Sequence, residues 1–114
     1  MYEKTTDTDQ LQWQPLDFKG VTMKVMHQDE TTGEMTVMTR IEAGAEIPRH
    51  KHTKAAETVF VLEGDFIEDG HSFQKGSFLS DPANKFHGPH RSKGGCTVLT
   101  TFSDELDFVL DESE

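Results

Sequence analysis

Residues 44–64, GAEIPRHKHTKAAETVFVLEG, indicate the fold and contain closely spaced side chains that could bind a metal. His50 and His52 are separated by a single residue, and Glu57 follows shortly after them. Alternate residues of a strand point to the same face, so the two imidazoles can converge on one point. Two imidazoles and a carboxylate that converge are the beginning of a transition-metal site.

Short strands are predicted on both sides of this stretch. Alternating apolar and polar residues indicate a hairpin over 21–42, and the run TVFVL at 58–62 indicates a strong strand. Further strands are expected at 49–53, 66–68, 71–74, 77–80, 86–90 and 96–102, with turns at 63–65 and 81–84. Only residues 104–110 could form a turn or two of helix. So many short strands predict an all-β sandwich or barrel.

Parity along the 58–62 strand predicts which side chains face the interior. Glu57 shares the parity of Val59 and Val61, which places these two residues inside and Phe60 and Leu62 on the other face if no bulge intervenes.

Two spaced motifs extend the pattern from residue 44 to residue 91. The first consists of Gly44, His50, His52, Glu57 and Gly64, and the second contains Gly76, Pro82 and His87. In this order and spacing the chain resembles the cupin superfamily. The chain departs from the second motif at two positions: Asn84 replaces a glycine of the family, and Arg91 replaces an asparagine of the family. Asn tolerates a left-handed backbone, so we expect Asn84 to preserve the turn.

The resemblance implies a jelly-roll barrel, also called a double-stranded β-helix, with one divalent transition metal bound inside it. Carried over residue by residue, the ligands would be His50, His52, Glu57 and His87. Three imidazoles and a carboxylate suit Fe, Mn, Ni, Cu or Zn, whereas magnesium and calcium prefer shells rich in oxygen. The alternative is that the histidine pair lies on an exposed strand and that Glu57 is a solvated charge.

Within cupins, the chain resembles the small group related to ChrR-type anti-sigma factors and to acetylacetone-cleaving dioxygenases. The features are the Trp13 and Pro15 start, the run ETVFVLEGDF with its following Asp69-Gly70 turn, and the Gly95-Cys96 pair. This resemblance implies an Fe(II)-dependent dioxygenase that acts on a small organic molecule such as a β-dicarbonyl. Zn, Ni or Mn could replace the iron, and Glu57 would be a fourth ligand or a catalytic base.

Two other functions remain open at the same site. One is a non-enzymatic sensor or regulatory module of the ChrR type, with zinc in the same ligands. The other is a metal-dependent isomerase or lyase.

Composition narrows the class of partner. The chain has 114 residues and a formal net charge of −10, from 21 acidic and 11 basic residues. Such an acidic chain is repelled by nucleic acid and by anionic membranes, so neither is an expected partner, and the resemblance implies a small-molecule substrate. The polar N-terminus contains no signal peptide, no apolar run reaches membrane-spanning length, and the single cysteine allows no internal disulfide, which together favour the cytoplasm.

One cupin domain is expected over residues 1–114, with a loose segment at about 1–10 and an acidic tail at about 104–114 whose role is solubility. Cupins of this size commonly form homodimers, in which the segment from Trp13 to Phe18 would be the packed arm.

The remaining candidates receive simpler roles. His27, His71 and His90 are expected at the surface, and Cys96 as a small buried apolar residue rather than a nucleophile. Arg40 and Arg49 could orient an anionic substrate or be solvated. The candidate pocket walls are Met35, Met38, Phe78 and Phe102.

Overall fold

The computed structural model describes residues 1–112, and β-strands, which hold 47% of the residues, are nearly the only regular secondary structure in this part of the chain. The strands are β1 Gln14–Pro15, β2 Val21–Gln28, β3 Met35–Ile41, β4 Glu46–Ile47, β5 His50–Lys51, β6 Glu57–Glu68, β7 His71–Gln74, β8 Phe78–Asp81, β9 His90–Arg91, β10 Cys96–Phe102 and β11 Val109–Leu110. A short 3₁₀ helix covers Thr8–Gln10. The predicted all-β class is confirmed, and no helix within residues 1–112 has the length and apolar character needed to cross a membrane.

The longest strand, β6, joins the two halves of a curled sheet. Its first part pairs with β10 and β8, and its last part, from Asp65 to Glu68, pairs with β7. The main sheet has the order β1-β2-β3-β10-β6-β9-β4. Because one strand belongs to both halves, the sheet curls around a common interior, as a jelly roll requires.

The turn predicted at residues 63–65 is wrong, because β6 continues through it with a β-bulge. Thr97 pairs with Glu63 whereas Val98 pairs with Val61, so Leu62 is the extra residue. A bulge changes which alternate residues face inward. Val59 and Val61 are buried before the bulge, as predicted, and Phe66 is buried after it.

The C-terminal part of the chain also differs from expectation. The predicted helix at 104–110 is wrong: Val109–Leu110 form β11, in which Leu110 pairs with His50 of β5. The short strand β5 has an open edge, and pairing with β11 satisfies its backbone groups. In the segment 86–90, only His90 belongs to a strand, and His87 forms an isolated bridge with His50. Ser113 and Glu114, the end of the predicted tail, lie outside the described residues.

The apolar core occupies the interior of the curled sheet. It contains Val21, Ile41, Ile47, Val59, Val61, Phe66, Cys96 and Val98. Cys96 is only 4% exposed, as expected of a small apolar residue. Phe60 and Phe78 are cross-strand neighbours on the outer face, where Phe78 is 64% exposed, so its predicted role as a pocket wall is wrong.

The N-terminal segment lies against its own sheet. Gln14–Pro15 pair with β2, and the Trp13 ring packs under the Arg40 guanidinium, whose Cζ is 4.1 Å from the ring centroid. Arg40 is therefore engaged in a cation–π contact on the outer face of the sheet.

Candidate metal centre

Four predicted ligands meet at one end of the barrel interior. His50 lies in β5, Glu57 begins β6, and His87 faces His50 through two backbone hydrogen bonds of 2.8 and 2.9 Å. Asn84 holds the turn before His87 with a φ of 64°, as predicted, and its N–H donates to the carbonyl of His52 at 2.7 Å. All four side chains are buried.

The donor atoms are spaced as a divalent transition ion requires. They lie within 4.8 Å of one another. His52 Nε2 is 2.8 Å from Glu57 Oε1, and His87 Nε2 is 3.1 Å from His50 Nε2 and 3.4 Å from Glu57 Oε1. With metal bonds of about 2.1 Å, ligand atoms at right angles are about 3.0 Å apart. The cluster therefore fits a divalent metal site.

Each imidazole is oriented by an oxygen atom at its outer nitrogen. His50 Nδ1 lies 2.6 Å from the Pro48 carbonyl, and His52 Nδ1 lies 2.6 Å from the Asp107 carbonyl. His87 Nδ1 lies 3.1 Å from Asp81 Oδ2. A ring that donates from Nδ1 presents the lone pair of Nε2, which is the arrangement common in metal-binding histidines.

The orientation of the imidazole rings indicates whether the site suits a metal ion. When His50 and His87 both donate from Nδ1, neither Nε2 carries a proton for the other, although the two atoms are 3.1 Å apart. Two facing lone pairs in a buried site repel each other unless a cation lies between them. The residues present therefore fit a bound metal ion.

The cluster is also electrostatically suited to a cation. Burial lowers the pKa of His50 to about 4 and also lowers the pKa of His87, so both rings are neutral ligands at pH 7. Burial opposes charge on His52 and Glu57 too, but their mutual hydrogen bond and neighbouring groups outweigh it. The pKa of His52 is raised and that of Glu57 is lowered. Without metal, Glu57 therefore favours the protonated form of His52, and a metal competes with that proton for Nε2.

Residues 107–111 cover the outer side of the cluster. The Phe108 ring lies 4.9 Å, between centroids, from both His50 and His52. The Asp107 carboxylate accepts hydrogen bonds from the backbone N–H and the hydroxyl of Thr53. Besides the acidity noted in the sequence, this segment thus holds His52 in its tautomer and shields two histidines from water.

His90 was expected at the surface, and this prediction is wrong. It is 6% exposed, and its ring centroid lies 5.3 Å from that of His50 and 5.2 Å from that of His87. Its Nδ1 atom lies 2.5 Å from Glu68 Oε2, the carboxylate of its cross-strand partner. No motif marks this pair, because Glu68 faces inward only as a result of the bulge in β6.

Three of the other candidates lie away from the cluster, and Phe102 lies beside it. His27 and His71 are exposed, as predicted. Arg49 pairs with Asp111 at 3.0 Å and does not line either cavity beside the histidines. Phe102 lines the smaller of these cavities, and its ring centroid lies 5.2 Å from that of His52.

Two cavities adjoin the cluster. The larger has a volume of about 280 Å³ and is lined by Glu57, Val59, Phe66, Glu68, Asp69, His71, Phe73, Leu79, Ser80, Asp81, Lys85, His87 and His90. The smaller, of about 40 Å³, lies in the barrel interior beside His50, His52 and Phe102. Glu57 and His90 line both. Pockets for drug-sized ligands occupy about 300–1,000 Å³, so the larger cavity suits a small molecule.

The family described as the ChrR Cupin-like domain matches residues 1–104 of the chain. No curated protein sequence gives a significant match.

Solved structures share the fold at low sequence identity. A candidate acetylacetone dioxygenase from Methylibium petroleiphilum superposes with a TM-score of 0.84 at 19% identity, over 100% of this chain and 85% of its own. An acetylacetone dioxygenase from Acinetobacter johnsonii gives 0.77 at 20% identity, over 100% and 80%. The polyketide cyclase RemF from Streptomyces resistomycificus gives 0.76 at 16% identity, over 97% and 89%. These similarities confirm the predicted jelly-roll barrel.

Proposed function

Because the chain belongs to the ChrR cupin-like family, we propose that it is an Fe(II)-dependent dioxygenase that cleaves a small β-dicarbonyl compound. Two solved neighbours are named for acetylacetone dioxygenase chemistry and one for the cyclisation of polyketides. Acetylacetone is itself a β-dicarbonyl, and polyketides contain the same unit. Fold alone does not determine function, so the support for the proposal comes from the site.

The observation that carries the proposal is the character of the larger cavity. Val59, Phe66, Phe73 and Leu79 give it apolar walls, and Glu57 and His87 place it against the cluster. Its charged residues are mostly acidic, and the Lys85 ammonium is paired with Asp81 at 3.2 Å. A polyanionic substrate would be repelled, whereas a small neutral diketone matches the apolar walls.

The chain's own residues divide the work at this site. His50, His52 and His87 would hold the ion through Nε2, and a bound divalent iron supplies Lewis acidity toward the two dicarbonyl oxygens and electrons toward dioxygen. Glu57 lines the cavity and would take the proton from the carbon between the carbonyls, or remain a ligand. The low pKa of Glu57 keeps it ionised, as either role requires.

The test combines metal analysis with oxygen uptake. We expect about one iron per chain after anaerobic reconstitution, and oxygen consumption that depends on added 2,4-pentanedione. His52→Ala removes one ligand and should abolish stoichiometric metal and uptake together, while His27→Ala, an exposed histidine, should change neither. Iron-loaded protein that consumes no oxygen with any β-diketone would rule out the proposed activity.

Glu57→Gln separates the two roles of the carboxylate. If Glu57 is a base, the variant keeps its iron and loses uptake. If Glu57 is a ligand, the affinity for iron itself falls.

A second candidate is a zinc-binding regulatory module, favoured by the ChrR family match and by the presence of four converging protein donors. Four ligands satisfy a structural zinc ion and leave no position open. This function predicts zinc in the purified protein, no oxygen uptake, and a partner protein whose binding depends on zinc.

A further inference from the structure

His90 and Glu68 form a second polar pair at the inner end of the larger cavity, outside the group of four converging donors. The two residues are direct cross-strand neighbours on β9 and β6, and His90 is 6% exposed. Such a pair between strands is positioned by the sheet itself. Buried polar side chains are costly unless they have partners, so the pair needs an explanation.

The Glu68 carboxylate lies against one nitrogen of His90. Its Oε1 atom accepts the Gly88 N–H at 2.7 Å, and its Oε2 atom lies 2.5 Å from His90 Nδ1. The second contact is close but not aligned as a hydrogen bond. Burial opposes charge on Glu68, but His90 and the Gly88 N–H outweigh it and hold the pKa of this carboxyl below its usual range. An ionised Glu68 favours the His90 tautomer with its proton on Nδ1.

The other nitrogen of His90 has no partner among the described residues. Nε2 is buried and makes no hydrogen bond. In the tautomer that Glu68 favours, Nε2 is an acceptor and requires a donor. Its ring lies between the rings of His50 and His87 and the cavity wall formed by Phe66, whose centroid is 5.1 Å away.

We propose that His90 Nε2 accepts a hydrogen bond from a hydroxyl or enol group of the molecule bound in this cavity, and that Glu68 is the positioning residue for this contact. His90 would thereby select small molecules that carry a donor over isosteric molecules that carry only acceptors. Leaving a buried acceptor unpaired is costly, which is the physical basis of such selection. The inference rests on the proposed function for the identity of the probe.

Zinc-loaded protein provides the test, because zinc has no redox chemistry and a bound ketone would therefore not be oxidised. Affinities are measured by calorimetry for 4-hydroxy-2-pentanone, which carries a hydroxyl donor, and for 4-fluoro-2-pentanone, whose fluorine is close in size to the hydroxyl and donates no hydrogen bond. We expect the wild type to prefer the first by about tenfold, in line with one buried hydrogen bond. His90→Phe keeps a planar ring without the acceptor and should lose this preference. His90→Gln, whose amide can reach the position of Nε2, should recover most of it.

Glu68→Gln tests the positioning role. A glutamine amide that donates to Nδ1 would move the ring proton to Nε2, so the preference for the hydroxyl-bearing probe should disappear or reverse. A merely structural residue would weaken both probes equally. His71→Phe, at the exposed rim of the same cavity, is the matched control and should keep the preference of the wild type.

The outcomes separate the inference from the proposed function. Zinc content and the thermal midpoint are measured for each variant, and a loss of zinc in His90→Phe would overturn the inference by making His90 a ligand. An unchanged preference in His90→Phe, or no binding of either ketone to the wild type, would also overturn it. Oxygen uptake by iron-loaded wild type is scored separately: absent uptake with an intact preference contradicts only the proposed activity.

Discussion

Acid should destabilise the metal-free protein through His50. Burial lowers the pKa of this residue from 6.5 to about 4, against the opposing hydrogen bond to the Pro48 carbonyl. The unfolded chain therefore binds a proton at His50 below pH 6.5, whereas the folded chain does not until about pH 4. The part of the stability that depends on a neutral His50 is fully present above the unfolded pKa of His50 and is lost as the pH falls through this window.

The size of the effect follows from the two pKa values. Between pH 8 and pH 5, the protonation of His50 in the unfolded chain costs about 2 kcal/mol of folding free energy. Domains are stable by about 5–15 kcal/mol, so this loss is a substantial fraction. Glu57 adds little to the loss of stability at pH 5, because its own stabilising contribution is lost only as the pH falls below its unfolded pKa of about 4.5. The lowered pKa of His87 adds to the loss and the raised pKa of His52 opposes it.

A comparison of variants isolates His50 from these neighbours. Urea unfolding of chelator-treated protein, followed by circular dichroism at pH 8 and pH 5, gives the free energy of unfolding at each pH. The wild type should lose about 2 kcal/mol more than His50→Gln, which has no proton to bind at this site. His27→Gln, at an exposed position, should lose as much as the wild type. Equal losses in the wild type and His50→Gln would refute the assignment.

Three further predictions follow from contacts in the site and the fold. Asp81→Asn weakens the acceptor at His87 Nδ1 and should reduce metal affinity by about 10–100-fold in a chelator competition assay. Asp69→Asn, at the exposed rim, should leave the metal affinity unchanged. Equal affinities in the two variants would mean that Asp81 does not orient the His87 ring. Gly64 and Gly70 have φ values of 79° and 80°, but a Cβ at Gly64 would lie 2.0 Å from the Gly95 carbonyl oxygen and one at Gly70 would meet nothing. Urea denaturation should therefore show a loss of about 1–2 kcal/mol for Gly70→Ala and a much larger loss, or no folded protein, for Gly64→Ala; similar losses would contradict the close approach. Ile41→Ala, at a fully buried position, should cost about 2–5 kcal/mol, while Phe78→Ala, on the outer face, should cost under about 0.5 kcal/mol; a large loss at Phe78 would show that its outer face is covered in solution.

Three of the four metal-cluster residues could be predicted from short spacings, and the fourth, His87, from the resemblance to the second cupin motif. His50 and His52 occupy alternate positions, and Glu57 starts the next strand, so local geometry brings three of the donors together. The turn held by Asn84 then returns the chain to β5, where His87 bridges to His50. Local rules therefore predict three of the donors, whereas the approach of His87 depends on the fold that the resemblance implies.

The groups that orient these donors could not be predicted from spacing. The Asp107 carbonyl contacts His52 across 55 positions of sequence, and it is a backbone atom that any residue would provide. Phe108 covers His50 and His52 because β11 pairs with β5, but two residues are too few to show a strand pattern. The sequence instead indicates a turn or two of helix at 104–110 and an acidic tail at about 104–114.

The pairing of Glu68 with His90 depends on two backbone irregularities, which explains why parity failed there. Counted from Glu57 without a bulge, Glu68 would face outward and Ile67 inward. The extra residue Leu62 reverses this order, and Gly88, with a φ of 93°, interrupts the alternation between His87 and His90 so that both can face the interior. Retaining a carboxylate and an imidazole inside a barrel is costly, and an apolar pair at these positions would pack without that cost. The bulge therefore brings to the cavity a polar pair that stability alone does not require, which is the expected pattern where a cavity has to recognise a polar group.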